Sequence, residues 1–255
     1  MTEESTLLNQ EIELDERQVE EFDFLTPDHL KAIKAELNYL IACDQFEDGV
    51  KSIIGDSGHQ IFLKRSKQSW LKAPDQTFWG KLAVQPWVEF VCQAGSGRPM
   101  FSRIEEGGYY RCHFDHPQNG MFSTTLFLSN PEDYEGGELE LLVNGELKQY
   151  KLEAGRCVTY ETGLPHQVKT VTKGVRNVLV WWTNTCIPHK PDLYAWRTLR
   201  KLTRQTGHYP IDKEDIDDDL YNFVKKPHAI YAQAANNIIR KHLYAWTQEK
   251  SNTGI

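Results

Sequence analysis

Beyond Pro99 the chain breaks into short segments rich in Val, Tyr, Phe, Thr and Leu, bounded by Gly, Pro, Asn and Asp, with no helical pattern between them. This texture predicts about eight strands, near Met100–Ile104, Tyr109–Asp115, Met121–Ser129, Glu138–Val143, Glu146–Leu152, Arg156–Tyr160, His166–Val171 and Arg176–Asn184. β-Branched and aromatic side chains suit a pleated, half-buried surface. Turns this close together leave no room for crossover helices, so the expectation is an antiparallel barrel or sandwich. Asn144-Gly145 marks one hairpin, because both positions tolerate the positive φ of a type I′ turn.

Helical patterns flank this stretch. Thr26 caps and Pro27 opens a helix carrying Leu30, Ile33, Leu37 and Ile41 at helical spacing. A second helix is predicted over roughly Gln76–Gln93, carrying Phe78, Trp79, Leu82, Trp87 and Phe90, with the aromatics read as core, ahead of the Gly95–Pro99 breaker. Past Pro191 the pattern returns in Leu193, Trp196, Leu199 and Leu202, and again from His228 to Trp246. Arg197, Arg200, Lys201 and Arg204 read as a basic face, solvated or paired within the molecule, with an acidic partner as the alternative. The acidic run Asp212–Asp219 lacks the glycine and ligand spacing of a calcium loop and reads as a surface turn.

Composition narrows the class. Of 255 residues, 40% are hydrophobic, enough for a substantial core. The 29 basic and 36 acidic residues leave a net charge of −7, which gives no general attraction to nucleic acid or to an anionic membrane. Cys43, Cys92, Cys112, Cys157 and Cys186 are odd in number and contain no C-x-x-C pair, so neither a disulfide framework nor a thiolate zinc site is expected. With a polar, acidic start and no apolar run of membrane-span length, the expectation is a cytoplasmic protein, with a homo-oligomer left open.

The chemistry-bearing residues lie in the strand-rich stretch. His113-Phe114-Asp115 places two metal-capable side chains on one face of a strand. About 1.3 such His-x-acid patterns are expected by chance, so the pair says little alone. His166 follows 51 residues after Asp115, behind the Gly163-Leu164-Pro165 turn, and can supply a third ligand. Two imidazoles and a carboxylate on one side of a metal suit non-haem Fe(II) with positions left open; zinc accepts the same set. Arg176 begins the next predicted strand after the Thr172-Lys173-Gly174 turn. If the two strands form a hairpin, it sits roughly 13 Å along from His166, a span that suits a short dicarboxylate held by metal at one end and guanidinium at the other. Tyr110 is either a core aromatic or a hydrogen-bonding group near the metal, and His116 a supporting or surface residue.

These residues stand in an ordered series: Phe101-Ser102-Arg103; Gly108 to Asp115; Thr125 to Ser129; Tyr134-Glu135-Gly136-Gly137-Glu138-Leu139; Ala154-Gly155; Pro165-His166-Gln167-Val168; and Gly174-Val175-Arg176. Over about Phe101–Asn184 the sequence resembles the Fe(II)/2-oxoglutarate-dependent dioxygenases, and within them the prolyl 4-hydroxylase-like, PKHD-type hydroxylases. The resemblance implies a mainly β fold with helical flanks, its core a double-stranded β-helix of jelly-roll or cupin-like type. It implies His113, Asp115 and His166 as Fe(II) ligands and Arg176 as partner of the distal 2-oxoglutarate carboxylate. The implied reaction uses O2 to hydroxylate a C–H bond of a protein side chain, peptide or amino-acid-like substrate, with succinate and CO2 as co-products and ascorbate as auxiliary reductant. The division expected is a helical segment over 1–98, the dioxygenase core over 99–188 and a helical extension over 189–255, forming one catalytic unit. A catalytically silent β-helix assembly module and a zinc hydrolase are the alternative readings.

Overall fold

The structure, a computed structural model, describes residues 13–52, 60–71, 85–206 and 226–253. They fall into two units, Gln18–Thr185 and the described residues on either side of it. The first unit opens with β1 (Val19–Asp23), α1 (Pro27–Ala42), β2 (Glu47–Asp48), α2 (Gln60–Leu63), β3 (Lys64–Arg65), β4 (Lys67–Trp70), α3 (Gln85–Val91) and β5 (Gln93–Ser96). It continues with β6 (Met100–Glu105), β7 (Tyr109–His113), β8 (Phe122–Phe127), β9 (Tyr134–Gly136), β10 (Leu139–Val143), β11 (Glu146–Tyr150), β12 (Arg156–Glu161), β13 (His166–Val168) and β14 (Val171–Thr185).

Among the described residues the strands build two antiparallel sheets. The larger runs β1-β12-β8-β14-β6-β4-β2, with β5 and β9 also paired to β14; the smaller runs β11-β10-β13-β7-β3. Residues from both sheets, among them Ile104, Phe127, Leu141, Val158 and Val178, share one buried core. Each expected strand is present, and the short segments before Pro99 supply five more.

Local chemistry explains several elements. The Thr26 side chain accepts the His29 N–H at the start of α1, whose Ile33, Leu37 and Leu40 are buried. Of the helix expected over Gln76–Gln93, the described part is α3, and residues 76–84 lie outside the described residues. Its aromatics are core: Trp87 meets Phe24 and Trp181 edge-on, Phe90 packs on Phe122, and the buried Trp87 Nε1–H donates to Thr159 Oγ1 at 2.9 Å. Asn144 (φ 51°) and Gly145 (φ 83°) close the β10–β11 hairpin with Val143 opposite Glu146, as the turn chemistry requires.

One expected turn is absent. Thr172-Lys173-Gly174 lies inside β14, which runs unbroken and pairs with β9 through a register shift between Val171 and Lys173. Gly174, at φ 76°, supplies the kink, and a Cβ there would stand 2.3 Å from the Asp133 carbonyl oxygen. Arg176 therefore pairs with Ile104 on the larger sheet while His166 lies on the smaller one, so the two do not form a hairpin. Gly174→Ala is expected to lower stability by about 1–3 kcal/mol through backbone strain plus the clash. Gly145→Ala, at a positive φ but in open space, should lose only about 1–2 kcal/mol. Urea midpoints of the two variants check the ranking.

The second unit contains α4 (Lys190–Thr206) and α5 (Pro227–Thr253). Asp192 joins them, accepting from Lys241 Nζ and His242 Nε2 at 2.8 Å each. Leu193 and Trp196 are buried as expected, but so is Arg197, whose Nη1 donates to the Arg17 carbonyl at 2.8 Å. The basic face is thus broken by an internal contact. The acidic run Asp212–Asp219 lies outside the described residues. No described helix is long and apolar enough to cross a membrane.

Candidate metal centre

β7 and β13 pair so that His113 stands directly opposite His166. Their ring centres are 4.2 Å apart. The His113 Nδ1 lies 2.8 Å from the Arg111 carbonyl oxygen and the His166 Nδ1 2.9 Å from that of Leu164. A ring that donates Nδ1–H to a carbonyl keeps its Nε2 lone pair for a metal. Both Nε2 atoms face Asp115, that of His113 at 3.7 Å from Oδ1 and that of His166 at 3.7 Å from Oδ2. The three ligand atoms lie within 4.8 Å of one another. Burial first, and then the neighbouring His166, pushes the His113 ring down to about 4, so it is neutral and able to ligate near pH 7.

Asp115 reaches this position differently from the expected strand alternation. β7 ends at His113, so no pleat orients the carboxylate. Instead Oδ2 accepts Ser123 Oγ–H at 2.7 Å and Trp182 Nε1–H at 2.9 Å. His116, expected to be peripheral, is exposed; its Nδ1 accepts the Gln118 N–H and caps a short turn.

The three residues line a cavity of about 330 Å³ between the sheets. Arg176 enters it from the larger sheet, 2% exposed, with its guanidinium 5.5 Å from the Phe127 ring. Its Nε has no hydrogen-bond acceptor among the described residues. On the smaller sheet the Tyr110 ring stacks on His113 at 3.6 Å and 17°. Burial, helped by the Asp115 charge, holds the Tyr110 phenol well above its usual range, so it stays a donor. Lys64 lies beside it, 5% exposed, with Nζ 4.6 Å from the Tyr110 ring centre. Burial pushes its ammonium down to about 8, against the pull of Asp115 and Asp48. Phe114, between the first two metal-capable residues, is 66% exposed and borders the cavity.

The sequence reading brought His113, Asp115, His166 and Arg176 into view, and all four line one cavity. It missed Ser123, Trp182 and Lys64. Trp182 had a usable signal: Arg176, Val178, Val180 and Trp182 alternate along one strand, and all four line the cavity.

Similarity to known proteins agrees with this geometry. The pattern of the 2OG-Fe(II) oxygenase superfamily matches residues 99–184. A PKHD-type hydroxylase of Nitrobacter winogradskyi is 40% identical over 186 residues, covering 65% of this chain and 77% of that protein. The chain belongs to the PKHD-type hydroxylases. A second member of this PKHD-type family, from Rippkaea orientalis, is 34% identical over 141 residues, covering 50% of this chain and 60% of that protein's length. A solved prolyl hydroxylase of Trichoplax adhaerens, in complex with a hypoxia inducible factor peptide fragment, superposes with a TM-score of 0.53. It shares 15% identity and covers 65% of this chain and 83% of its own. Such neighbours share the double-stranded β-helix, which the two facing sheets here constitute.

Proposed function

We propose that this chain is an Fe(II)- and 2-oxoglutarate-dependent hydroxylase acting on a C–H bond of a protein side chain, peptide or amino-acid-like substrate. His113 and His166 hold the metal through Nε2 and Asp115 holds it through its carboxylate. Ser123 and Trp182 fix the carboxylate through Oδ2, with Oδ1 toward His113 and Oδ2 toward His166. With Fe(II), 2-oxoglutarate and O2 bound, the chemistry supplied is oxidative decarboxylation of the 2-oxo acid coupled to hydroxylation, with succinate and CO2 leaving. Arg176 binds the distal carboxylate of the cosubstrate by paired, charge-assisted contacts.

The observation that carries this reading is Arg176. A guanidinium 2% exposed, with an unsatisfied Nε, lining the same cavity as a His-Asp-His cluster, calls for an anionic ligand. Zinc hydrolysis uses the same three ligands but gives this arginine no task. The peptide bound to the Trichoplax adhaerens neighbour supports a peptide-like substrate through the shared fold alone.

The test is direct. The purified protein with Fe(II) should bind 2-oxoglutarate and release succinate only when O2 is present, and Zn(II) in place of Fe(II) should abolish release. Failure to bind 2-oxoglutarate at millimolar concentration would refute the proposal.

A further inference from the structure

The segment Tyr134-Glu135-Gly136-Gly137 supplies neither a metal ligand nor any part of the metal cavity's lining. It forms β9 and the residue after it, and β9 pairs with β14 so that Tyr134 stands opposite Gly174, two residues before Arg176. Two glycines make room for this. A Cβ at Gly174 would lie 3.0 Å from the Tyr134 Cα, and one at Gly137, whose φ is 68°, would lie 3.0 Å from Tyr134 Cε2 and 2.9 Å from Val171 Cγ2. Lys151 Nζ donates to the Tyr134 carbonyl at 2.8 Å and stands 4.2 Å from the ring centre. Strand pairing, a glycine and an ammonium thus seat a tyrosine that is 3% exposed.

This seating delivers a hydroxyl to Arg176. Tyr134 Oη is buried without a hydrogen-bond partner among the described residues, and so is Arg176 Nε. The two groups nevertheless interact: burial raises the Tyr134 phenol above its usual range against the pull of Arg176, and burial disfavours the Arg176 charge while Tyr134 supports it. A buried donor and a buried oxygen left open near each other cost free energy until they are paired. A guanidinium carries five N–H groups in a rigid fork, and a carboxylate held by two parallel bonds takes two of them. The others need acceptors from the protein. A phenol oxygen can accept one while keeping its own proton.

We propose that Tyr134 is a positioning residue for the cosubstrate: its hydroxyl accepts the Nε–H of Arg176 when the distal carboxylate engages the two Nη groups, and so fixes the fork that meets that carboxylate. This rests on the hydroxylase reading and gives the Tyr-x-Gly-Gly segment its task, the placing of one oxygen behind the arginine. Tyr134 itself touches no ligand. A plain core aromatic at this position would need the ring and not the hydroxyl.

The experiment compares the full chain with its Tyr134→Phe, Arg176→Met and doubly substituted variants, each with Fe(II) under anaerobic conditions. Calorimetric titrations use 2-oxoglutarate and 2-oxopentanoate, which keeps the chelating end of the cosubstrate but lacks the distal carboxylate. Tyr134→Phe should weaken 2-oxoglutarate binding by about 10- to 100-fold, the range of a hydrogen bond to a charged group, and leave 2-oxopentanoate within about twofold. In the Arg176→Met background the same substitution should shift neither acid by more than about twofold, because the hydroxyl acts only through the arginine. The ring is retained and the hydroxyl holds no bond in the ligand-free protein, so the ligand-free urea midpoint should not fall. The proposal is overturned if Tyr134→Phe keeps the parent's affinity for 2-oxoglutarate, if it weakens both acids alike, if its effect persists in Arg176→Met, or if the ligand-free midpoint falls. A parent that fails to bind 2-oxoglutarate, or binds it no better than 2-oxopentanoate, sinks the cosubstrate reading and this inference with it. A parent that prefers 2-oxoglutarate, with Tyr134→Phe unaffected, sinks only this inference.

Discussion

Asp115→Ala is expected to abolish stoichiometric Fe(II) binding and to reduce succinate release by more than about 100-fold, beyond what loss of a supporting contact produces. The carboxylate is the one anionic member of the His113–Asp115–His166 cluster, so its removal takes away both a ligand atom and the charge that offsets the cation. It also strands the Trp182 Nε1–H, which shares Oδ2 with Ser123 Oγ–H, while Ser123 can still turn to Thr162 Oγ1 at 3.2 Å. The supporting contacts themselves should give a graded result: Trp182→Phe keeps the ring but deletes the donor, and should weaken metal affinity by roughly 10–100-fold. Metal content after dialysis, measured by atomic absorption, orders the three proteins. If Asp115→Ala retains iron at the level of the unaltered chain, the assignment of the centre is wrong.

The difference between what was legible and what was not follows the range of the interactions. Thr26-Pro27, the Asn144-Gly145 turn and the β-branched, aromatic texture of the later strands are set by neighbours within a few residues, and all stand as expected. The grouping of His113, Asp115 and His166 was legible as an ordered set of donor types, and their donor atoms do lie within 4.8 Å of one another. How those residues meet was not. Thr172-Lys173-Gly174 has the composition of a turn, yet the pairing of β9 with β14 absorbs Gly174 as a kink inside a strand. Arg176 consequently faces the histidines across the cavity rather than along a hairpin. Strands as short as Glu47–Asp48 and Lys64–Arg65 carry no periodicity of their own, and only pairing with β4 and β7 defines them. Lys64 therefore reads in the sequence as one basic residue among Lys64, Arg65 and Lys67, and its place beside Tyr110 emerges only from the sheet.

Arg176 yields a prediction in which binding and stability move in opposite directions. Replacing it by Met removes one partner of a buried charge pair from the cosubstrate complex, a loss of about 2–5 kcal/mol, so the KM for 2-oxoglutarate should rise by roughly 30-fold to several thousandfold. Because the distal carboxylate is held alike before and during the reaction, kcat at saturation should change far less. Arg176→Lys keeps the charge but not the fork and should fall between the two. In the absence of ligand the effect reverses. The guanidinium is 2% exposed, burial disfavours its charge, and its Nε is unsatisfied. A methionine of similar reach escapes that desolvation, a gain of about 1–4 kcal/mol, less about 0.5–2 kcal/mol for the lost contact with Phe127. At the middle of both ranges the gain exceeds the loss by about 1 kcal/mol, so the ligand-free variant should unfold at a higher urea concentration than the parent. Saturating 2-oxoglutarate with a redox-silent metal should put the parent ahead, since ligand at about 1,000 times its Kd adds about 4.1 kcal/mol to the protein that binds it and nothing to one that does not. An unchanged KM in Arg176→Met, or midpoints that keep their order with and without 2-oxoglutarate, would show that this arginine serves the fold and not the cosubstrate.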